Sequence, residues 1–151
     1  MSNILITGGA GFLGSVMVPE LLEAGHKVTV LDSFIYDQNS LALVCGDSNF
    51  TVVNGDVRKK KVVLPLLKEA DIIIPLAALV GAPLCEADPE GAHSVNHGAI
   101  KLMLEHMSLG QHLLMPTTNS AYGTGDANNY CDESSPLNPI SEYAKDKVEV
   151  E

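Results

Sequence analysis

The sequence predicts an α/β fold, a doubly wound parallel sheet of strand order 3-2-1-4-5, and two observations carry the prediction. Short apolar runs alternate with stretches of helical period along the chain, as repeated βαβ units require. The first run, Asn3-Ile4-Leu5-Ile6, passes directly into Thr7-Gly8-Gly9-Ala10-Gly11-Phe12-Leu13-Gly14, a glycine-rich turn between a strand and a helix. Strands are expected near 3–6, 27–31, 50–53, 71–75 and 111–116. Helices are expected over 12–24, 61–69 and 90–108, with a poorly patterned turn or helix around 38–45 and a last helix from near Ile140. Right-handed crossovers then fix the strand order and open a crevice at the carboxyl ends of the strands, where strand 1 meets strand 4.

Each element adds to that crevice. In the first turn Gly8 permits a sharp reversal, Gly11 leaves bare backbone for a pyrophosphate, and Gly14 lets the helix approach the strand. The helix that starts at Phe12 and Leu13 aims unpaired N–H groups and its positive dipole end at such a ligand, so the pattern predicts dinucleotide binding. Strand 2 ends in Asp32, 24 residues after Gly8, close to the ~20 expected for the acid that holds an adenosine ribose. Strand 3 is followed by Asn54-Gly55-Asp56-Val57, which reads as an Asx turn or as an adenine contact through Asp56. Strand 4 runs into the small residues Leu76-Ala77-Ala78-Leu79-Val80-Gly81, which allow close backbone approach by the other half of a dinucleotide. Helix 90–108 carries Ile100, Leu102, Met103, Leu104 and Met107, and strand 5 leads to the hydroxyl and amide cluster Thr117-Thr118-Asn119-Ser120-Ala121-Tyr122. On the last helix Tyr143 and Lys147 are one turn apart, so phenol and ammonium share a face. A cation there is expected to favour the phenolate and bring a group that normally titrates near ~10 toward use as a base.

Composition narrows the function classes. At 151 residues one domain with its own core is expected, and 46% hydrophobic with 19% charged residues excludes a disordered chain. No apolar run is long enough to cross a bilayer, and the first strand lacks the basic region of a signal peptide, so no membrane partner and a cytoplasmic location are expected. A net charge of −10 argues against nucleic acid, and Arg58-Lys59-Lys60-Lys61 reads as a solvated helix start. Cys45, Cys85 and Cys131 form no disulfide or zinc spacing. His93 and His97 share a helical face with Glu90 one turn earlier, but the acid of an H-E-x-x-H motif is absent and no metal is expected.

The set Thr7-Gly8-x-x-Gly11-x-x-Gly14, Asp32, Gly55-Asp56-Val57, Leu76-Ala77-Ala78, Asn96, Thr118-x-x-x-Tyr122-Gly123 and Tyr143-x-x-x-Lys147 resembles an extended short-chain dehydrogenase/reductase. More narrowly it is similar to the NAD-dependent nucleotide-sugar epimerase/dehydratase family. The resemblance implies a Rossmann-type sheet and bound NAD, held by Gly8, Gly11, Phe12, Leu13, Gly14, Asp32, Asp56, Val57, Leu76, Ala77, Ala78, Asn96, Tyr143 and Lys147. It implies Tyr143 as base, Thr118 as a hydrogen-bond partner of the reacting hydroxyl, and Lys147 as support for the phenolate. Val80, Asn119 and Ser120 are implied at the substrate, a nucleotide-activated sugar oxidised at C4, and a homodimer is implied by the same likeness. Pro75, Asp146 and the Thr118–Tyr122 segment depart from the family pattern, and the Asp-Glu pair of many 4,6-dehydratases is missing after Thr118. Epimerisation or formation of a keto-sugar is therefore expected ahead of dehydration, with a non-catalytic NAD-binding module as the alternative from another class. Because the resembling enzymes continue beyond the active-site helix, the chain is expected to lack the C-terminal substrate domain, as a fragment or as one half completed by another polypeptide.

Overall fold

A computed structural model of the chain describes residues 1–124 and 130–151. Five parallel strands, β1 (Asn3–Thr7), β2 (Lys27–Asp32), β3 (Phe50–Asn54), β4 (Ile72–Pro75) and β5 (His112–Leu113), form one sheet in the order β3-β2-β1-β4-β5. This is the predicted doubly wound arrangement. In the central strand Ile6 stands beside Val30 of β2 on one side and Ile74 of β4 on the other. Such strands are apolar throughout because both of their faces are covered. Helices α1 (Phe12–Glu23) and α2 (Lys60–Glu69) provide the first crossovers. From α1, Val18 and Leu22 join Ile4, Ile6, Val28, Val30, Leu41 and Ile74 in the core.

The contacts divide the described residues into two compact units, 1–77 with 101–116 and 78–100 with 117–151. The first holds the sheet with α1 and α2. The second holds α3 (Ala82–Ala87), α4 (Pro89–His93), a π turn (Ser94–Gly98), a 3₁₀ turn (Asn119–Tyr122) and α6 (Glu142–Val150), and in it α6 packs on all four. A further short helix, α5 (Ala99–Leu104), follows the π turn in the chain. None of the described helices is long and apolar enough to cross a membrane.

Several expected boundaries differ from those observed. The strand expected over 111–116 is only two residues long. Leu114 N–H donates to Ile73 C=O at 2.8 Å, and the next residue of β4 that faces β5 is Pro75, which has no N–H to continue the ladder. The helix expected over 90–108 is split into α4, the π turn and α5, and α3 precedes it unanticipated. Asp88 separates α3 from α4 because the residue before a proline is held extended; its φ is −143° and its carboxylate caps α4 through the Gly91 N–H at 2.9 Å. His106 Nδ1 lies 2.9 Å from the Leu102 carbonyl oxygen, a side-chain bond to a terminal carbonyl of α5. The doubtful 38–45 segment contains one 3₁₀ turn, Ala42–Val44, and the last helix starts at Glu142 with Ser141 accepting from Ala144 N–H at 3.2 Å.

Candidate active site

In the first unit the glycine turn closes onto two neighbouring strands. Gly8 has φ +71°, and a Cβ there would overlap the main chain of Ala77, so the turn lies directly against the segment that leaves β4. A Cβ on Gly14 would overlap the Gly9 main chain, which is how closely α1 approaches the turn. A Cβ on Gly11 would meet Gly8 O at 3.2 Å, a tight contact, and no other close neighbour among the described residues. Gly11 caps α1 without a side-chain hydrogen bond, and no acid occupies the first turn. The N–H groups of Phe12, Leu13 and Gly14 thus lack the carbonyl partners a helix interior would give them, and this end of α1 is suited to an anion. Phe12 and Leu13 are exposed beside it, while Thr7 is fully buried and its Oγ1 has no partner.

Asp32 is buried and its two oxygens have separate duties. Ala10 N–H donates to Oδ2 at 2.9 Å and Phe34 N–H donates to Oδ1 at 2.8 Å. The carboxylate therefore brackets the glycine turn and the bend after β2, where Phe34 has φ +52°. Each oxygen keeps a second lone pair for a ribose hydroxyl. Ser40, which carried no sequence signal, donates from Oγ to Ala10 C=O at 2.6 Å and ties the same turn from the other side. After β3, Asp56 forms the Asx turn that was one of its two readings. Oδ1 accepts Arg58 N–H at 2.9 Å, the guanidinium reaches Oδ2 at 2.7 Å, and that hydrogen-bonded cation holds the carboxyl below its ordinary range. Val57 beside it is buried. Gly8, Gly11, Phe12, Leu13, Gly14, Asp32, Leu76 and Ala77 are thus gathered at the carboxyl ends of β1, β2 and β4, with Asp56 and Val57 at that of β3.

The second unit arranges the other residues. Asn96, fully buried in the π turn, accepts Leu79 N–H at 2.8 Å and donates to Leu79 C=O at 3.0 Å, so one amide satisfies both main-chain groups of a loop residue. This fastens the Ala78–Val80 segment, and Val80 itself is exposed. Thr118 caps the 3₁₀ turn by accepting Ser120 N–H at 3.2 Å, with Asn119 and Ser120 exposed on the turn. On α6, Lys147 is buried and its Nζ lies 5.9 Å from the Tyr143 ring centroid. Here the electrostatic expectation is corrected. Burial pushes the Tyr143 phenol up, with Cys85 adding to it, and burial pushes the Lys147 ammonium down. Burial decides the direction for both groups.

Two further residues of this unit gave no usable signal in sequence. Asp146, the position that departs from the family pattern, is buried and pairs with His93 Nδ1 at 2.6 Å, which raises the His93 imidazole above its usual value. Glu149, and not Glu90, is the acid that comes to His93 and His97.

The family model for the NAD dependent epimerase/dehydratase family matches residues 4–151. The chain belongs to this family. UDP-glucuronic acid decarboxylase 1 of Danio rerio is 32% identical over 151 residues, covering 96% of this chain and 35% of that protein. Among solved structures, Pal from Bacillus thuringiensis superposes with a TM-score of 0.88 at 26% identity, over 98% of this chain and 49% of the other. DesIV, a dTDP-glucose 4,6-dehydratase from Streptomyces venezuelae solved with NAD, gives 0.85 at 32% identity, over 97% and 48%. The chain thus spans about half the length of these structures and about a third of the curated relative. Membership in the epimerase/dehydratase family confirms the Rossmann-type sheet and NAD as the family's cofactor. The residues fit that cofactor on their own geometry: a glycine cradle that side chains would fill, an uncapped helix end for the pyrophosphate, and an orphaned buried hydroxyl at Thr7 beside it.

Proposed function

We propose that this chain is the NAD-binding and base-bearing portion of an oxidoreductase that oxidises a hydroxyl, at C4, of a nucleotide-activated sugar. The product is an epimer or a keto-sugar. The observation that carries the reading is the buried Tyr143–Lys147 pair on α6 in a chain that also holds the glycine cradle and Asp32. A pure binding module has no use for a buried, desolvated ammonium one helical turn from a half-buried phenol.

Under this proposal Gly8, Gly11, Phe12, Leu13 and Gly14 hold the pyrophosphate through main chain. Asp32 takes the adenosine ribose hydroxyls and disfavours a 2′-phosphate, while Asp56 and Val57 hold adenine. Leu76, Ala77 and Ala78 offer backbone to the nicotinamide half, and Asn96 acts through the Leu79 main chain that it clasps. NAD in its oxidised form supplies a hydride acceptor and a positive charge. With NAD bound, Tyr143 would be the group that gives up its proton to become the base, against the burial that raises it. Tyr143 then takes the sugar hydroxyl proton as the C–H bond gives up its hydride, and Thr118 donates a hydrogen bond to the oxygen that becomes a carbonyl. Lys147 holds ribose hydroxyls and the phenolate. Val80, Asn119 and Ser120, exposed on their loops, contact the sugar, and two copies associate as a homodimer.

Titration of the purified chain with NAD by calorimetry tests the cofactor half of the proposal: one saturable site is expected, and heats no larger than dilution overturn it. In the complete enzyme Tyr143→Phe is expected to abolish sugar oxidation with NAD affinity within about twofold of the parent, since the hydroxyl is needed for proton transfer and phenylalanine keeps the ring that would contact the cofactor. Turnover retained in that variant overturns the assignment of the base.

A further inference from the structure

His93 and His97 are four residues apart, and in the second unit their rings stack with centroids 4.7 Å apart. Neither histidine has a part in the proposed chemistry. Glu149 of α6 comes to the same spot, its Oε1 3.9 Å from His97 Nε2, too long for a hydrogen bond. One donor atom each from His93, His97 and Glu149 lies within 4.8 Å of the others. A second observation concerns the other side of the His93 ring. The buried Asp146 carboxylate holds Nδ1 at 2.6 Å, so in the neutral ring Nδ1 carries the proton and Nε2 is the nitrogen left to bind. A carboxylate behind a ligating imidazole is the arrangement that orients metal-bound histidines and raises their basicity.

We infer that His93, His97 and Glu149 form a binding site for a divalent ion of the zinc class, with Asp146 as the residue that orients His93. Two imidazoles and one carboxylate suit zinc, cobalt or nickel, and leave a fourth position for water. Donors around a tetrahedral ion stand roughly 3.3 Å apart for bonds of about 2.0 Å. With His93 kept on Asp146, the present spread is to be closed mainly by rotation of Glu149, whose side chain is 62% exposed. Bound there, the ion ties the π turn to α6, the helix that carries Tyr143 and Lys147, and so acts as a staple within this unit. The sequence concealed the site because the third ligand comes from a helix far along the chain and not from the histidine helix.

The test is titration of the chelator-treated full chain with Co²⁺, read by its visible absorption, and with Zn²⁺, read by calorimetry and thermal shift. One ion per chain with tetrahedral cobalt bands and a rise in melting temperature is expected. His97→Gln and Glu149→Gln should each weaken binding at least about tenfold, and Asp146→Asn by about 10–100-fold, the usual effect of losing the carboxylate behind a histidine ligand. Glu149 is exposed, so its variant keeps the fold, and metal-free melting curves report on the other two. Absence of saturable binding, or unchanged affinity in Glu149→Gln, overturns the site. NAD titration of the same samples reports separately on the glycine cradle, so failure of the metal site and failure of the cofactor reading are distinguished.

Discussion

At the scale of single residues, Tyr143 and Lys147 show how position and chemistry separate. The spacing of the pair was legible because four residues make one helical turn, and α6 does place both side chains together. The direction of the electrostatic effect was not legible, since it depends on how much water each group loses, and burial raises Tyr143 and lowers Lys147. Two outcomes follow. Under the proposed function the Tyr143 pKa, read from phenolate absorbance, should fall when NAD saturates the chain; an unchanged titration argues against Tyr143 as the base. Lys147→Met should raise the melting temperature of the cofactor-free chain and, under the proposed function, remove turnover, since a buried ammonium with little compensation costs stability at neutral pH. Ser40 and Glu149 lay beyond sequence reasoning because their partners are distant in the chain and their own neighbourhoods carry no motif, while Asp146 stood out only as a departure within Tyr143-x-x-x-Lys147 and nothing in the sequence pointed to His93 as its partner.

Among elements, those with a strong period and a strong stop were read well. β1, β2 and α1 fall within a residue of expectation because the glycine turn and Asp32 punctuate them. β5 was overextended because apolar pattern says where a strand can run and not whether its neighbour can donate, and Pro75 withholds the N–H. The 90–108 segment reads as one helix because its period is nearly unbroken; the π turn carries Asn96, whose amide meets both main-chain groups of Leu79. Asn96→Ala is expected to leave two main-chain groups of Leu79 without their partners and to destabilise the chain by about 1–3 kcal/mol, measured by urea unfolding. Gly14→Ala is expected to be worse, because the new methyl overlaps main chain that has nowhere to retreat. Loss of cooperative melting or of NAD binding is the predicted result, and parental behaviour in both would contradict the close approach.

For the molecule as a whole, strand order was the most legible property, since crossover handedness leaves few alternatives once the first βαβ unit is placed. Ligand linkage acts at this scale too: NAD at 100 times its Kd should stabilise the chain by about 2.7 kcal/mol, a melting shift of roughly 5–10 °C. So does pH. Tyr143 is raised in the fold, so its contribution is complete below its ordinary value and is lost as pH rises through the folded value. Alkaline unfolding should therefore shift to higher pH in Tyr143→Phe. Asp56 is lowered, so its contribution is complete above the ordinary carboxyl value and is lost as pH falls through the folded one; Arg58→Ala should flatten that acid limb. The Asp32 bracket has a consequence for how such a protein can change. Under the proposed role of Asp32 at the ribose, admitting a 2′-phosphate requires removing its negative charge, yet the same oxygens receive the Ala10 and Phe34 N–H groups that shape the turn. Asparagine offers one acceptor where aspartate offers two, so each neutral replacement gives up part of the architecture it is meant to retune. On that proposal cofactor preference is tethered to foldability, and a switch should require a compensating change near Ala10 or Phe34 before it can be tolerated.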